Sequence, residues 1–141
     1  MTTIIITAAC ILALVMIIYV SRYRYYDLNR WSGVLIKWAD DNGISRKRMP
    51  RYDEKTLLNI KELDFSELEL QSLPEELCNL INLKKLYLQN NNLKSLPQNI
   101  TNLNPELLDL RGNNELQLSA KQKTWTKKIK EFLSNNPIKS N

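Results

Sequence analysis

The sequence predicts an α/β fold: a short solenoid of stacked strand-and-return units with helical caps, preceded by one N-terminal transmembrane helix. Three observations carry the prediction. The chain resembles itself at a shift of 23 residues, its leucines switch from two-residue to three-residue spacing within each unit, and its first 20 residues carry no charged side chain. The expected division is 1–21 for the membrane helix and 22–59 for a basic juxtamembrane segment and N-terminal helical cap. Residues 60–118 hold the repeated units, and 119–141 a basic C-terminal capping helix and tail.

Ile4 to Val20 is almost unbroken hydrocarbon, and as a helix those 17 residues span about 26 Å, enough for a bilayer core. Tyr19, Tyr23, Tyr25 and Tyr26 suit the headgroup layer, where a ring is half apolar and half wet. A cleaved signal wants a basic start and a small-residue exit, which MTT and Tyr19-Val20-Ser21-Arg22-Tyr23 do not provide. A lipoprotein signal ending at Cys10 has too few apolar residues before it, and a buried soluble helix of this length would carry a polar face. The expectation is therefore an uncleaved anchor contacting the membrane through residues 4–20. Arg22, Arg24 and Arg30 follow it, which predicts a single-pass protein with its N-terminus outside and the repeat domain cytoplasmic. With Cys10 in the membrane, Cys78 has no intrachain disulfide partner, and the sequon Asn99-Ile100-Thr101 would never meet the glycosylation machinery.

The net charge of +5 is a sum of blocks. Residues 22–51 carry eight basic and three acidic side chains, residues 52–118 six and eleven, and residues 119–141 six and one. An acidic centre between basic flanks argues against a nucleic-acid partner. A basic stretch beside a membrane helix follows from topology and from attraction to anionic lipid.

At the shift of 23, Leu63 aligns with Leu86, Phe65 with Leu88, Leu70 with Leu93, Leu73-Pro74 with Leu96-Pro97, Leu77 with Ile100 and Leu80 with Leu103. Self-similarity at such a period is the mark of a solenoid. Leu86-x-Leu88 has the spacing of a strand with one buried face, and Leu96-Pro97-x-x-Ile100-x-x-Leu103 that of a short helical or 3₁₀ return.

Leu83-x-x-Leu86-x-Leu88-x-x-Asn91-x-Leu93 resembles the leucine-rich-repeat consensus, and the Leu-Pro continuation is similar to the 23-residue class of that family. The resemblance covers about residues 60–118: two good repeats and a terminal partial one. Asn91 is expected to turn inward and bond backbone groups that would otherwise be buried without partners, while Asn90 and Asn92 face solvent. The first turn has Leu68 where the asparagine belongs, and the third, Leu108 to Asn113, arrives after 22 residues.

So short a stack leaves its core open at both ends and needs caps. Leu28, Trp31, Leu35 and Trp38 recur at helical spacing before the stop Asn42-Gly43, and residues 53–59 read as a second short helix. Beyond the stack, Ser119-x-x-Gln122 reads as a capping box opening a helix with Trp125, Ile129, Phe132 and Leu133 on one face. Lys121, Lys127, Lys128 and Lys130 occupy the rest of it. A core-closing cap is preferred to a helix lying on lipid, though the lysines stay exposed in both.

Chemistry is mostly excluded. Histidine, the commonest general base and metal ligand, is absent. Cys78 has no nearby base, Glu75-Glu76 and Glu67-x-Glu69 read as solvated acids, Asp40-Asp41 as a helix end, and the three glycines form no phosphate loop. The chain is expected not to be an enzyme, with no catalytic residue, cofactor or metal. The leading expectation is a membrane-anchored module for protein–protein interaction whose partner is another protein. The alternative is a small membrane-active protein whose transmembrane segment is the effector and whose repeat domain is regulatory. Between inward leucines the intervening side chains point outward, and the resemblance implies that they form a concave binding face. Its expected residues are Asp64, Ser66, Tyr87, Gln89, Asp109 and Arg111.

Overall fold

Leucines two apart share one side of a strand, and in the computed structural model Leu86 and Leu88 are both fully buried. The structure describes residues 11–16, 30–50 and 53–134. Four three-residue strands, β1 (Glu62–Asp64), β2 (Lys85–Tyr87), β3 (Leu107–Asp109) and β4 (Glu131–Leu133), form one parallel sheet in the order β1-β2-β3-β4. Leu63, Leu86, Leu108 and Phe132 pair across it in a single row. Parallel neighbours need a crossover, and here each crossover is a short return that packs behind the leucines. Two returns are 3₁₀ turns, Glu75–Asn79 and Gln98–Asn102, and the third contains helix α3 (Ala120–Thr126). Helices α1 (Trp31–Asp41) and α2 (Glu54–Leu58) precede the sheet.

The returns are fixed by proline and by a carboxylate. Pro74 and Pro97 stand just before the 3₁₀ turns, whose first bonds run from the Leu77 and Ile100 amides to the two proline carbonyls, each 3.2 Å. Glu75 accepts from the Gln98 and Asn99 amides, tying one return to the next. Behind β1, Leu35, Ile36 and Ala39 of α1 enter the same core, and Trp38 meets Phe65 with ring centroids 5.7 Å apart. The Asp53 side chain caps α2 through the Thr56 amide at 2.9 Å, and Trp31 Nε1 donates to Glu54 at 2.9 Å, joining the two helices.

Asn91 is buried, and its amide makes four close bonds and a longer fifth, from Nδ2 to Gln89 O at 3.4 Å. Oδ1 accepts from the Leu68 and Leu70 amides at 3.1 and 3.0 Å, and Nδ2 donates to the Phe65 and Leu88 carbonyls at 2.7 and 3.0 Å. Asn113 does the same one layer on, accepting from the Leu93 amide and donating to the Leu88 and Leu110 carbonyls. Each asparagine thus serves the layer before its own. Leu68 has no strand layer before it, and it packs half-buried against the apolar core.

Several expectations are corrected. In place of the expected capped repeat solenoid the described chain builds a small four-stranded parallel sheet with few helices. The C-terminal capping helix is much shorter than its apolar spacing predicts. The capping box at Ser119 and Gln122 is present, but α3 ends at Thr126 and residues 131–133 become β4. The exposed edge of β3 offers unpaired backbone groups, and β4 takes them: Leu110 N donates to Leu133 O at 2.7 Å and Glu131 N to Glu106 O at 2.9 Å. A strand satisfies that edge, and a continued helix would leave it open. The transmembrane helix is likewise unsupported, since among the described residues no helix is long and apolar enough to cross a membrane. Of the expected span, residues 11–16 are helical with exposed side chains, and the rest, like Leu28, lies outside the described residues. The single-pass localisation, with an outer N-terminus and a cytoplasmic repeat domain, loses its support with that helix.

The corner after each of the first three strands turns through left-handed backbone: Glu67 at φ 57°, Asn90 at 57° and Gly112 at 74°. A Cβ on Gly112 would lie 2.9 Å from the Asn90 amide nitrogen and closer still to its side-chain oxygen. Gly112→Ala therefore combines a strained φ with a clash against backbone. It should cost about 2 kcal/mol or more, read as a lower midpoint in urea with an unchanged slope. Leu88→Ala should cost about 2–5 kcal/mol, and a full-length variant with an unaltered melting curve would show that Leu88 is not part of the packed core.

Candidate functional site

The side chains that alternate with the buried row stand on the solvent face of the sheet. Register places Glu62, Lys85, Leu107 and Glu131 in one line across it, and Asp64, Tyr87, Asp109 and Leu133 in the next. One step past the strands, the Glu67 amide reaches Gln89 O at 3.1 Å and the Asn90 amide reaches Arg111 O at 2.8 Å. Ser66, Gln89 and Arg111 thereby continue the lattice on the same side. The six residues expected from the sequence are thus neighbours, but they differ in what they expose.

Asp109 is only 2% exposed. Arg111 grips its carboxylate with two nitrogens, Nε at 3.0 Å and Nη2 at 2.6 Å, and the Arg111 amide adds a third donor at 3.1 Å. That hydrogen bonding and charge raise the guanidinium above its ordinary pKa. Ser66 is buried as well, its hydroxyl and amide both donating to Asp64 Oδ1. Burial pushes the Asp64 carboxyl up, but those bonds and the nearby Arg48 guanidinium outweigh it, so the group lies below the ordinary 3.8. Arg48 also donates to the Ser66 carbonyl. Asp64 and Ser66 therefore hold each other, as do Asp109 and Arg111, and Tyr87 and Gln89 on the strand between are half-buried. The Gln89 Oε1 atom is enclosed and has no hydrogen-bond partner.

Five residues of this face were not in the expected set: Glu62, Lys85, Leu107, Glu131 and Leu133. Leu107 and Leu133 are half-exposed and Glu131 exposed. With Tyr87 the two leucines form an apolar zigzag over three adjacent strands, each a diagonal neighbour of the next. Leu133 escaped notice because a helical reading put it on an inward face. A shift of 24, which pairs Leu108 with Phe132, was the signal that could have found it.

Elsewhere the chemistry is quiet. Burial, with Glu75 and Glu76 nearby, pushes the Cys78 thiol up to about 12, so it is a thiol and not a nucleophile at neutral pH. Among the described residues no three His, Cys, Asp or Glu converge as metal ligands. A shallow polar groove of about 370 Å³ beside the corners is lined by Gln71, Asn92, Lys94, Asn114 and Glu115, with the Lys94–Glu115 pair 3.8 Å apart.

Arg111→Ala should lower the melting temperature, because it leaves the Asp109 carboxylate buried with a single backbone donor. Asp109→Asn in the same chain should restore part of the loss, since a neutral amide needs no counter-charge. A double variant no more stable than Arg111→Ala alone would mean that the pair does not hold this face. The chain matches no protein-family model and no curated protein.

Proposed function

We propose that the chain is a small protein-interaction module and that its partner docks on the solvent face of the sheet. One observation carries this reading: Tyr87, Leu107 and Leu133 lie half-exposed as diagonal neighbours on three adjacent strands, rimmed by Glu62, Asp64, Glu131 and Arg111. An apolar centre with a polar rim is the anatomy of a protein interface, and Tyr is among the commonest hot-spot residues. The likeness of residues 83–93 to the leucine-rich-repeat consensus points to the same face, as an expectation from motif alone. No step of bond-making chemistry is part of the reading.

A photo-cross-linking residue placed at Tyr87 or Leu133 in cells should give discrete protein adducts, and one at exposed Lys55 on α2 should not. Against the partner so identified, Tyr87→Ala should weaken binding tenfold or more, about 1.4 kcal/mol. Adducts from Lys55 alone would put the docking surface elsewhere.

A further inference from the structure

The segment from Ser119 to Lys130 is docked firmly on one side and strongly charged on the other. Trp125 and Ile129 are buried, Trp125 Nε1 donates to Leu103 O at 2.8 Å, and the Gln122 side-chain amide donates to Pro97 O at 3.0 Å. Outside, Lys121, Lys123, Lys127, Lys128 and Lys130 are all exposed, and none makes an ion pair with a described residue. In the sheet region the pattern is the reverse: Lys84 pairs with Glu106, Lys85 with Glu62, Lys94 with Glu115 and Arg111 with Asp109. Five like charges held on a fixed backbone repel one another, and an anionic partner relieves that repulsion.

We propose that this lysine face is a second docking surface, for an acidic segment of another protein. Lys123 and Lys127 are one helical turn apart, about 6 Å between Cβ atoms. Alternate side chains of an extended peptide are about 6.6 Å apart, so two acids spaced two positions apart match Lys123 and Lys127. Three features favour a peptide over other polyanions. The one aromatic residue of α3, Trp125, is buried and offers no surface on which a nucleobase stacks. The charges are all lysine, with no guanidinium to grip phosphate bidentately. The apolar side of α3 is spent on the core, which leaves nothing to insert into lipid.

The test uses the full chain with three probes: a short fluorescent peptide of alternating glutamate and serine, a short DNA duplex, and vesicles containing phosphatidylserine. The peptide should bind, more weakly as salt rises. The triple variant Lys123→Gln/Lys127→Gln/Lys128→Gln should lose roughly tenfold in affinity while melting no lower than the parent, and the matching Arg triple should retain binding. Tyr87→Ala should leave peptide binding unchanged, which separates this surface from the sheet face. No peptide binding, equal binding by the Gln variant, or duplex or vesicles bound at least as tightly as the peptide would overturn the proposal.

Discussion

The buried carboxamide of Asn91 is the constraint on which the rest depends. A strand of three residues cannot satisfy the backbone where the chain turns out of the sheet and into the returns. At that corner the Leu68 and Leu70 amides point inward with no strand to meet them, and water has no access. One side chain with two acceptor sites and two donors answers all of it, bonding two amides and two carbonyls at ordinary distances. Any apolar residue there would leave several buried groups unmet, each costing on the order of 1–3 kcal/mol. Because the asparagine reaches back to the preceding layer, it also fixes how far one layer sits from the next. Register, core and outer face follow from that spacing.

The two ends of the sheet solve different problems with different means. Before β1 there is no strand layer for an asparagine to serve, and an apolar Leu68 with helix α1 covers the core. After β3 the chain must both cover the returns and occupy an open edge. The segment from Ser119 splits the work: α3 lays Trp125 against the last 3₁₀ return, and the next few residues extend as β4. Gln122 shows how closely the halves are fitted, since one side chain completes the capping box of α3 and bonds the Leu96 and Pro97 carbonyls.

What could be read in advance follows the range of the interactions. The strand positions, the buried leucines, the proline-led returns, Asn91 and the capping box are local patterns, and the sequence carries them openly. The end of the C-terminal helix was not local. Trp125, Ile129, Phe132 and Leu133 fit a helical face well, and what overrides the pattern is an unpaired edge on β3, more than 20 residues away in the chain. The candidate face was legible in position but not in burial. Alternation says that Asp109 points away from the leucines, yet it does not say that Arg111 will fold over it and bury it. The membrane helix rested on local hydropathy, length and flanking tyrosines, and the described structure contains no helix that supports it.

The rigidity of the outer face has the same origin as that of the core. Tyr87 stands between Leu86 and Leu88, both fully buried, and Leu133 beside the paired Phe132, so neither moves without shifting a packed neighbour. Around them the polar groups are already committed: Asp64 to Ser66, Asp109 to Arg111, Lys85 to Glu62. A partner docking there as proposed would meet a surface whose side-chain order has been largely set before contact, which lowers the entropy lost on binding. Gln89 Oε1 is the exception, an enclosed acceptor with no hydrogen-bond partner. The lysine end is arranged the other way, with a fixed backbone and long charged side chains that make no ion pair with a described residue. In the two proposals, shape and apolar contact would govern recognition at the first surface, and charge at the second.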